Sequence, residues 1–311
     1  MLKGSKIGIV GGSGYLGSRL ACVLAPHNQV VIIDRTPPFP DGKNKNATFI
    51  QCDILSPEAV LHATRGLDFL FHRAGFYGNL NSMQSPQEYY QLNVVGTLNT
   101  LRAAVQNKIR KFIFDSTEAV YGQTVTSPVT ENQFPTPGSI YGATKLICEN
   151  AVRMYDLQYG LPTLIFRYSR VRDAAKNDAI LTLTQRALKG ESVVLYNEGK
   201  PVIDFVDISD VIAANILGVE SDIRNEVFNI GAGEGISFSE MFRTIQEFVE
   251  RKDSQVSYKH LEHYPPISEF LFGPEIFYMS VAKAKKILGW EPKVSIRSSI
   301  RETVNFVKER S

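Results

Sequence analysis

Three glycines near the start of the chain have a spacing that predicts a phosphate-binding turn. They directly follow the apolar run Ile7–Val10, and they are Gly11, Gly14 and Gly17. Glycine lets a strand turn tightly into a helix, and it lets backbone amides approach a pyrophosphate that the helix N-terminus attracts. The same segment also fits a register that begins at Gly12, so the spacing leaves two interpretations open. Either register predicts that a dinucleotide binds here.

An acidic residue follows the second apolar run at the distance expected for a ribose ligand. Asp34 lies 17 residues after Gly17, close to the offset of about 20 at which a carboxylate accepts hydrogen bonds from the adenosine ribose. Because its charge would repel a 2′-phosphate, we expect NAD and not NADP, although the neighbouring Arg35 could pair with such a phosphate. Asp53, after the third strand, is either a contact of the adenine edge or an exposed loop acid.

A tyrosine and a lysine four residues apart could supply acid–base chemistry. Tyr141 and Lys145 lie in a segment with helical periodicity, which places both side chains on one face of the helix. A tyrosine in water has a pKa of about 10, and a neighbouring positive charge favours the phenolate. We therefore expect a lowered tyrosine pKa, with the cationic ring of an oxidised nicotinamide adding to the effect of Lys145.

The composition excludes several other classes of protein. The 311 residues include 34 Lys and Arg against 32 Asp and Glu, and this net charge of +2 is spread along the chain. Because there is no basic stripe, we expect no nucleic-acid partner. The three cysteines are far apart, which predicts neither a disulfide framework nor a zinc site. No apolar run reaches the roughly 18 residues of a membrane span, so we expect a soluble cytoplasmic protein.

Short apolar runs alternate with helical patterns through the first half of the chain. The predicted strands are Lys6–Val10, Gln29–Asp34, Thr48–Cys52, Asp68–His72, Lys111–Phe114 and Thr163–Arg167. This alternation is typical of an α/β fold with a doubly wound parallel sheet of the Rossmann type. We expect an NAD-binding domain over residues 1–168 and 205–230, and a smaller, discontinuous substrate-binding domain over residues 169–204 and 231–311.

Further motifs run nearly from end to end of the chain. Together with the glycines they are Asp34, Asp53-Ile54, His72-Arg73-Ala74-Gly75, Asn93-Val94-Val95-Gly96-Thr97, Ser116-Thr117-Glu118-Ala119-Val120-Tyr121-Gly122, Tyr141–Lys145, Asp204-Phe205, Asn229-Ile230-Gly231 and Leu288-Gly289-Trp290. With this set the chain resembles extended short-chain dehydrogenases/reductases, and among them the NAD-dependent epimerase/dehydratase family that works on nucleotide sugars. The cofactor half is most similar to the UDP-galactose 4-epimerase branch.

The resemblance implies roles for these positions. Thr117 would hydrogen-bond the reacting sugar hydroxyl, Tyr141 would be the base, and Lys145 would hold both the tyrosine and the nicotinamide ribose. Glu118 could be a second acid or base, or merely a salt-bridge partner. The implied cofactor contacts are Gly11, Gly14, Tyr15, Leu16, Gly17, Asp34, Arg35, Asp53, Ile54, Ala74, Gly75, Asn93, Tyr141 and Lys145. The implied substrate contacts are Tyr77, Thr117, Arg170 and Arg172.

The chain also departs from the family pattern. Dehydratases of this family carry two acids directly after the threonine, whereas here the second position is Ala119, which makes dehydration and decarboxylation less favoured. Ile203 replaces the arginine that usually precedes Asp-Phe, and the Asn-Val-Tyr-Gly-Pro stretch is replaced by a segment containing Arg170 and Arg172. Three interpretations stay open: the arginines form a relocated phosphate clamp, the substrate is not the usual nucleotide sugar, or the arginines lie on the surface without a ligand.

The favoured function is epimerisation of a nucleotide-activated sugar at C4, through a transient 4-keto intermediate and with NAD retained. The alternatives are net oxidation or reduction of a nucleotide sugar or another carbinol with NAD or NADP, and an NAD-binding regulator without catalysis. The resemblance further implies a homodimer formed through the helices around Gln87–Gln106 and Tyr141–Tyr159. No metal is expected, because His260, Glu262 and His263 lack a further recognisable ligand.

Overall fold

The structure is a computed structural model that describes residues 2–38, 47–122, 126–250, 256–259 and 275–310. The chain divides into two compact units. The first comprises Met1–Gly122, Pro135–Arg167 and Ile212–Phe228, and the second comprises Gln123–Phe134, Tyr168–Val211 and Asn229–Ser311. Each unit is therefore assembled from separated stretches of sequence.

The elements alternate between strands and helices. In chain order the strands are β1 (Lys6–Val10), β2 (Gln29–Asp34), β3 (Ala47–Gln51), β4 (Phe69–His72), β5 (Lys111–Thr117), β6 (Thr163–Tyr168), β7 (Arg170–Arg172), β8 (Val193–Tyr196), β9 (Val202–Ile203), β10 (Phe205–Asp207), β11 (Glu226–Ile230), β12 (Ile236–Ser237) and β13 (Val256–Lys259). The helices are α1 (Tyr15–Leu24), α2 (Pro57–Ala63), α3 (Asn79–Gln84), α4 (Pro86–Tyr89), α5 (Gly96–Gln106), α6 (Ile140–Tyr159), α7 (Ala179–Lys189), α8 (Ile208–Glu220), α9 (Phe238–Val249) and α10 (Ile296–Lys308). Within the described ranges, no helix combines the length and the apolar character that crossing a membrane requires.

A seven-stranded sheet forms the centre of the first unit. Its order is β11-β6-β5-β4-β1-β2-β3, and the pairs β1–β2, β1–β4, β2–β3 and β4–β5 are parallel. The strand order reverses direction at β1, as in a doubly wound dinucleotide-binding fold. The carboxyl ends of the parallel strands meet at one edge, so Val10, Asp34, His72 and Thr117 end their strands there.

Two helices of the first unit begin at a serine whose side chain caps the helix. The Ser56 side chain accepts a hydrogen bond from the amide of Ala59 at 3.4 Å, and Pro57 occupies the first helical position of α2. Ser139 caps α6 in the same way by accepting from the amide of Gly142 at 3.1 Å. Such caps satisfy amides that have no partner within a helix, and the second one fixes where the helix carrying Tyr141 starts.

The second unit is built around three packed helices, α7, α9 and α10. Their buried side chains form one apolar cluster that includes Ile180, Met241, Phe242, Ile245, Ile300 and Val304. Three two-stranded sheets accompany the helices: β10–β7 and β13–β8 are parallel, and β12–β9 is antiparallel. The unit therefore has a hydrophobic core of its own.

The unit boundaries differ from the predicted domain boundaries over two longer stretches, and residues 168 and 229–230 also lie in the second unit. Residues 205–211, which we expected in the first domain, lie in the second unit, because β10 pairs with β7 and the side chain of Phe205 is buried in the second cluster. Residues 123–134 also belong to the second unit. Within that stretch the amide of Val129 donates to the carbonyl of Tyr278 at 2.9 Å, and the amide of Ser280 donates to the carbonyl of Val129 at 2.8 Å. Backbone pairing across a long sequence separation therefore sets both boundaries.

Candidate active site

The turn between β1 and α1 has no room for a side chain at three of its glycines, Gly11, Gly12 and Gly17. A Cβ on Gly11 would lie 2.5 Å from the backbone nitrogen of Ala74, and a Cβ on Gly17 would lie 2.5 Å from the carbonyl oxygen of Gly11. Gly11 also has a φ of +80°, which L-residues rarely adopt. Gly12 is crowded as well, because a Cβ there would lie 2.8 Å from the carbonyl oxygen of Ile9, so both registers stay compatible with the structure.

The start of helix α1 fits the pyrophosphate of a dinucleotide. Gly14 caps the helix without a side-chain hydrogen bond, and the first turn, which contains Tyr15 and Leu16, carries no acidic residue. A helix N-terminus without a competing cap or negative charge attracts an anion. The glycines, together with this helix end, are the residues that would hold NAD.

Asp34 lies beside this turn, at the end of β2. Its Oδ2 accepts a hydrogen bond from the amide of Ser13 at 3.1 Å, and its Oδ1 accepts from the amide of Thr36 at 3.3 Å. These bonds hold the carboxylate where the ribose contact is expected. The neighbouring Arg35 is exposed, and Asp53 is an exposed acid whose Oδ1 accepts from the amide of Leu55 at 2.9 Å. Contacts of these two residues with a cofactor stay predictions.

Asn93 connects the segment after β4 with helix α6. Its Oδ1 accepts from the amide of Phe76 at 2.7 Å, and its Nδ2 donates to the Phe76 carbonyl at 3.1 Å and to Thr144 Oγ1 at 3.0 Å. A Cβ on Gly75 would lie 2.8 Å from Asn93 Oδ1. Asn93 therefore fixes the backbone next to the predicted cofactor contacts Ala74 and Gly75.

Ile54, another predicted cofactor contact, is part of the core. Its side chain is buried, and a Cβ on Gly96 would lie 2.3 Å from its Cδ1. The structure thus assigns this side chain to packing against helix α5.

The three predicted catalytic residues lie on β5 and α6. The side chain of Thr117, the last residue of β5, is hydrogen-bonded to the phenol of Tyr141 in the first turn of α6. The Nζ of Lys145 donates to the carbonyl oxygen of Asp115 at 2.7 Å and lies 4.7 Å from the ring centroid of Phe114. The hydroxyl of the threonine therefore acts on the phenol of the tyrosine, and the lysine is fixed one helical turn further along.

The environment of Tyr141 favours the neutral phenol. Burial raises the pKa of Tyr141 to about 12, the hydrogen bond from Thr117 opposes this rise, and three further groups add to it: Asp115, Glu118 and Tyr89. The prediction of a lowered tyrosine pKa is therefore wrong for the polypeptide by itself, because desolvation of the phenolate dominates. Burial also lowers the pKa of Lys145.

A buried ion pair between Arg167 and Glu149, which the sequence motifs did not predict, fixes α6 against the sheet. Arg167 Nε donates to Glu149 Oε1 at 2.9 Å, and Arg167 Nη2 donates to Glu149 Oε2 at 2.6 Å. Ser116 Oγ donates to the same Oε1 at 2.5 Å. Glu149 lies four residues after Lys145, on the same face of the helix. That spacing was the available signal for a residue that supports the lysine.

His72, at the end of β4, is buried and neutral. Burial, with a smaller effect from the charge of Lys145, lowers its pKa to about 3. Its ring stacks between Phe112 and Phe114, and its Nε2 lies 2.9 Å from Thr97 Oγ1. This environment gives His72 a packing role, with one polar contact to a side chain.

The predicted substrate contacts differ in their surroundings. Tyr77 is 76% exposed in the first unit, and Arg170 is exposed in the second unit. Arg172 is 1% exposed, and it donates to Asp178 Oδ2 at 3.2 Å, to Thr303 Oγ1 at 2.7 Å and to Ser299 Oγ. These bonds contradict the prediction that Arg172 clamps a phosphate, because the guanidinium is enclosed by protein partners.

Two other predicted features concern the second unit. Ile203 is buried in the apolar cluster of the second unit, so an apolar side chain occupies the position where the family pattern has an arginine. The segment His260-Leu261-Glu262-His263 lies outside the described residues.

The chain is similar to known proteins over nearly its whole length. The model of the NAD dependent epimerase/dehydratase family matches residues 7–231. A UDP-N-acetyl-alpha-D-glucosaminuronate decarboxylase from Bacillus cytotoxicus is 29% identical, over 97% of this chain and 97% of its own length. The structure of UDP-glucose 4-epimerase from Thermotoga maritima with UDP-glucose is 30% identical, with a TM-score of 0.86 over 98% of this chain and 99% of that chain. UDP-glucuronic acid 4-epimerase from Bacillus cereus, in complex with UDP-glucuronic acid and NAD, is 26% identical, with a TM-score of 0.84 over 98% and 100%.

These matches confirm the predicted α/β fold and NAD as the cofactor. The family model covers the glycine turn, Thr117, Tyr141 and Lys145, and the solved structures extend the similarity over nearly the whole chain. The chain belongs to the NAD dependent epimerase/dehydratase family.

Proposed function

We propose that the protein is an NAD-dependent epimerase that inverts C4 of a nucleotide-activated sugar. The observation that carries this proposal is the placement of Thr117, at the end of β5, beside Tyr141, with Lys145 fixed on the same helix. The similar 4-epimerases are named for UDP-glucose and UDP-glucuronic acid. These names support a UDP-hexose or UDP-hexuronate as the substrate.

The side chains divide the proton chemistry between them. Tyr141 accepts the proton of the C4 hydroxyl, and Thr117 hydrogen-bonds the same hydroxyl and orients it. NAD, held at the glycine turn and the start of α1, would supply the hydride acceptor and donor for C4. The ammonium of Lys145 would favour the phenolate through its charge and would donate to the ribose of the nicotinamide. Tyr141 then returns its proton to the new C4 hydroxyl, so the net reaction consumes no cofactor.

The residue after Glu118 argues against elimination of water. Ala119 follows Glu118 in the short 3₁₀ turn after β5, and its methyl group cannot donate or accept a proton. The single carboxylate of Glu118 can assist one proton transfer. The second acid that a dehydratase has at the next position is absent here. Epimerisation requires neither of these two acids, because Tyr141 accepts and returns the only proton that is transferred.

A net dehydrogenase or reductase is the second candidate. It is favoured by the buried Ile203 and by the enclosure of Arg172, which leave Arg170 as the predicted phosphate contact of the second unit. Such an enzyme would change the dihydronicotinamide absorbance in proportion to the substrate consumed. Product formation without a lasting absorbance change rejects this candidate.

The test is a library of UDP-, GDP-, CDP- and dTDP-hexoses and hexuronates, followed by proton NMR with NAD-loaded protein. We expect inversion at C4 of one member, abolished in the variant Tyr141→Phe. The variant Thr117→Ser is the matched control, because it keeps the hydroxyl. If every member stays unchanged while the folded protein retains NAD, the proposal fails.

The dimeric state is also proposed. The helices α5 and α6 expose large apolar side chains, namely Leu98, Ile147, Met154, Leu157 and Tyr159, and contiguous exposed apolar surface is typical of an interface. A second copy of the chain would cover it. Light scattering should give twice the chain mass of 34.7 kDa, and Met154→Glu should give the single mass. A cytoplasmic location stays a prediction.

A further inference from the structure

A second buried ion pair lies next to the catalytic residues, at the carboxyl edge of the sheet. Arg73 Nη1 lies 2.8 Å from Asp115 Oδ2, and the two side chains are 3% and 8% exposed. Arg73 Nη2 also donates to Asn215 Oδ1 of helix α8 at 2.7 Å. An ion pair with so little solvent keeps most of its electrostatic strength. None of the roles assigned so far uses this pair.

The pair is joined to the catalytic lysine through one residue. Asp115 binds Arg73 with its carboxylate, and its carbonyl oxygen accepts the hydrogen bond from Lys145 Nζ. The register pairs His72 with Phe114, which places the two residues that follow, Arg73 and Asp115, side by side. Any movement of Asp115 that restores or breaks its contact with Arg73 therefore also moves the acceptor of the lysine.

The charged and titratable groups around the catalytic couple come from several elements. Those acting on Tyr141 are Asp115 on β5, Glu118 in the turn after β5, and Tyr89 on α4. Those acting on Lys145 are Asp115, together with Cys148 and Glu149 on its own helix, while His72 on β4 responds to its charge. Asp115 is the one member that acts on both Tyr141 and Lys145.

We propose that Arg73 and Asp115 are positioning residues that fix Lys145 and set the charge environment of the Tyr141–Lys145 couple. The inference rests on the proposed function, since it assigns the couple its acid–base task. Neither residue is required to touch the substrate. Asp115 acts through its carbonyl and its charge, and Arg73 acts by holding the Asp115 carboxylate in place.

The direction of the effect follows from the sign of the charge. A carboxylate raises the pKa of every group near it, and for Tyr141 and Lys145 the charge of Asp115 acts in this direction. It thus keeps the lysine an ammonium and opposes ionisation of the tyrosine. Arg73 has the opposite charge, so it reduces the rise in the pKa of Tyr141 that Asp115 causes. Removing the carboxylate should therefore lower the pKa of both members of the couple.

The test compares two variants of the NAD-free and NAD-loaded full chain. Asp115→Asn removes the negative charge and leaves Arg73 unbalanced, so the titration midpoint of Tyr141 should fall by about one pH unit. Arg73→Met/Asp115→Asn removes both charges and leaves no unpaired buried charge, which keeps the variant foldable. Its midpoint should fall by about half as much. The midpoints are read from carbon-13 NMR of ring-labelled tyrosine, with Tyr141→Phe used to assign the signal.

A matched control is available in the same unit. Asp156 is also a buried carboxylate paired with an arginine, Arg224, and it is not among the groups that act on Tyr141. Asp156→Asn should lower the melting temperature without moving the Tyr141 midpoint. If Asp115 had a purely structural role, Asp115→Asn would likewise lower the melting temperature and leave the Tyr141 midpoint unchanged. An unchanged midpoint in both Asp115 variants, or an equal shift in Asp156→Asn, overturns the inference.

The same experiment separates this inference from the proposed function. The NMR midpoint requires no substrate, so it reports on the ion pair even if no sugar is epimerised. Where a sugar is turned over, the acidic limb of the kcat/KM profile should move to lower pH in Asp115→Asn by the same amount as the NMR midpoint. A shifted midpoint with an unmoved limb would overturn the assigned link between the pair and the acid–base step.

Discussion

The most direct test of the cofactor site is the substitution Gly17→Ala. The new Cβ would lie 2.5 Å from the carbonyl oxygen of Gly11 and 2.6 Å from the Cα of Gly12, whereas real Cβ contacts essentially never fall below 3.0 Å. Both neighbours are backbone atoms, so no side-chain rotation relieves the clash. The helix start must therefore move away from the turn by about 0.5 Å or more, since 3.0 minus 2.5 is 0.5.

This displacement should weaken NAD binding far more than it weakens the fold. A misplacement on the order of 1 Å costs about 100-fold in a positioned interaction, so we expect the Kd for NAD to rise about 100-fold, or about 2.7 kcal/mol. Overpacking should lower the free energy of unfolding by about 1–3 kcal/mol. Isothermal titration calorimetry gives the Kd, and urea denaturation gives the stability.

Gly66→Ala is the matched control for Gly17→Ala. Gly66 has a φ of +71°, and a Cβ there would have no atom within 4 Å, so its only cost is the left-handed backbone, about 1–2 kcal/mol. It should lose stability and keep the wild-type affinity for NAD. If Gly17→Ala binds NAD within about threefold of the wild type, or if Gly66→Ala loses as much affinity, the placement of the pyrophosphate at this turn is refuted.

Three further predictions concern catalysis, substrate binding and stability. Thr117→Ala should reduce kcat about 10- to 100-fold through loss of a hydrogen bond worth about 1.5–3 kcal/mol, whereas Thr117→Ser should stay within about fivefold of the wild type, and equal rates in the two variants would remove the threonine from the reaction. Arg170→Ala should raise KM for a nucleotide sugar about tenfold with little change in kcat, and an unaltered KM would leave the exposed arginine without a phosphate to bind. Burial raises the pKa of Asp204 to about 6 from 3.8, so the folded state binds its proton more tightly than the unfolded chain. The stability of the wild type relative to Asp204→Asn should therefore be highest below pH 3.8 and should decrease by about 3 kcal/mol as the pH rises to 6. Urea denaturation across this range checks the slope, and a flat difference contradicts the raised pKa.

The sequence predicted the elements whose signals are local. The apolar runs identified β1 and β2 with their observed bounds, and helical periodicity identified the segment of α6 that carries Tyr141 and Lys145. Periodicity and caps involve residues within one or two turns of each other, so both residues of each such contact lie close together in the sequence. Spacing within a short segment singled out Tyr141 and Lys145 in the same way, whereas Thr117 was added by the family resemblance.

Contacts between distant residues were not predictable in this way. Arg172 was expected at a phosphate, yet its partners Ser299 and Thr303 lie 127 and 131 residues away. The direction of the Tyr141 pKa was wrong for a related reason, since desolvation depends on everything packed around the phenol, and spacing to one lysine does not describe it. Arg73 belongs to one of the sequence motifs, but its pairing with Asp115 becomes visible only when β4 and β5 are aligned.

The discontinuity of the first unit has a consequence during synthesis of the chain. Strand β6 lies between β5 and β11 in the sheet, and the last stretch of this unit, Ile212–Phe228, follows β6 by more than forty residues of the second unit. Until β11 emerges from the ribosome, β6 presents an open edge, and such an edge invites pairing with other chains. A nascent chain halted before Phe228 should therefore be aggregation-prone even though its cofactor turn and its catalytic residues have already been made.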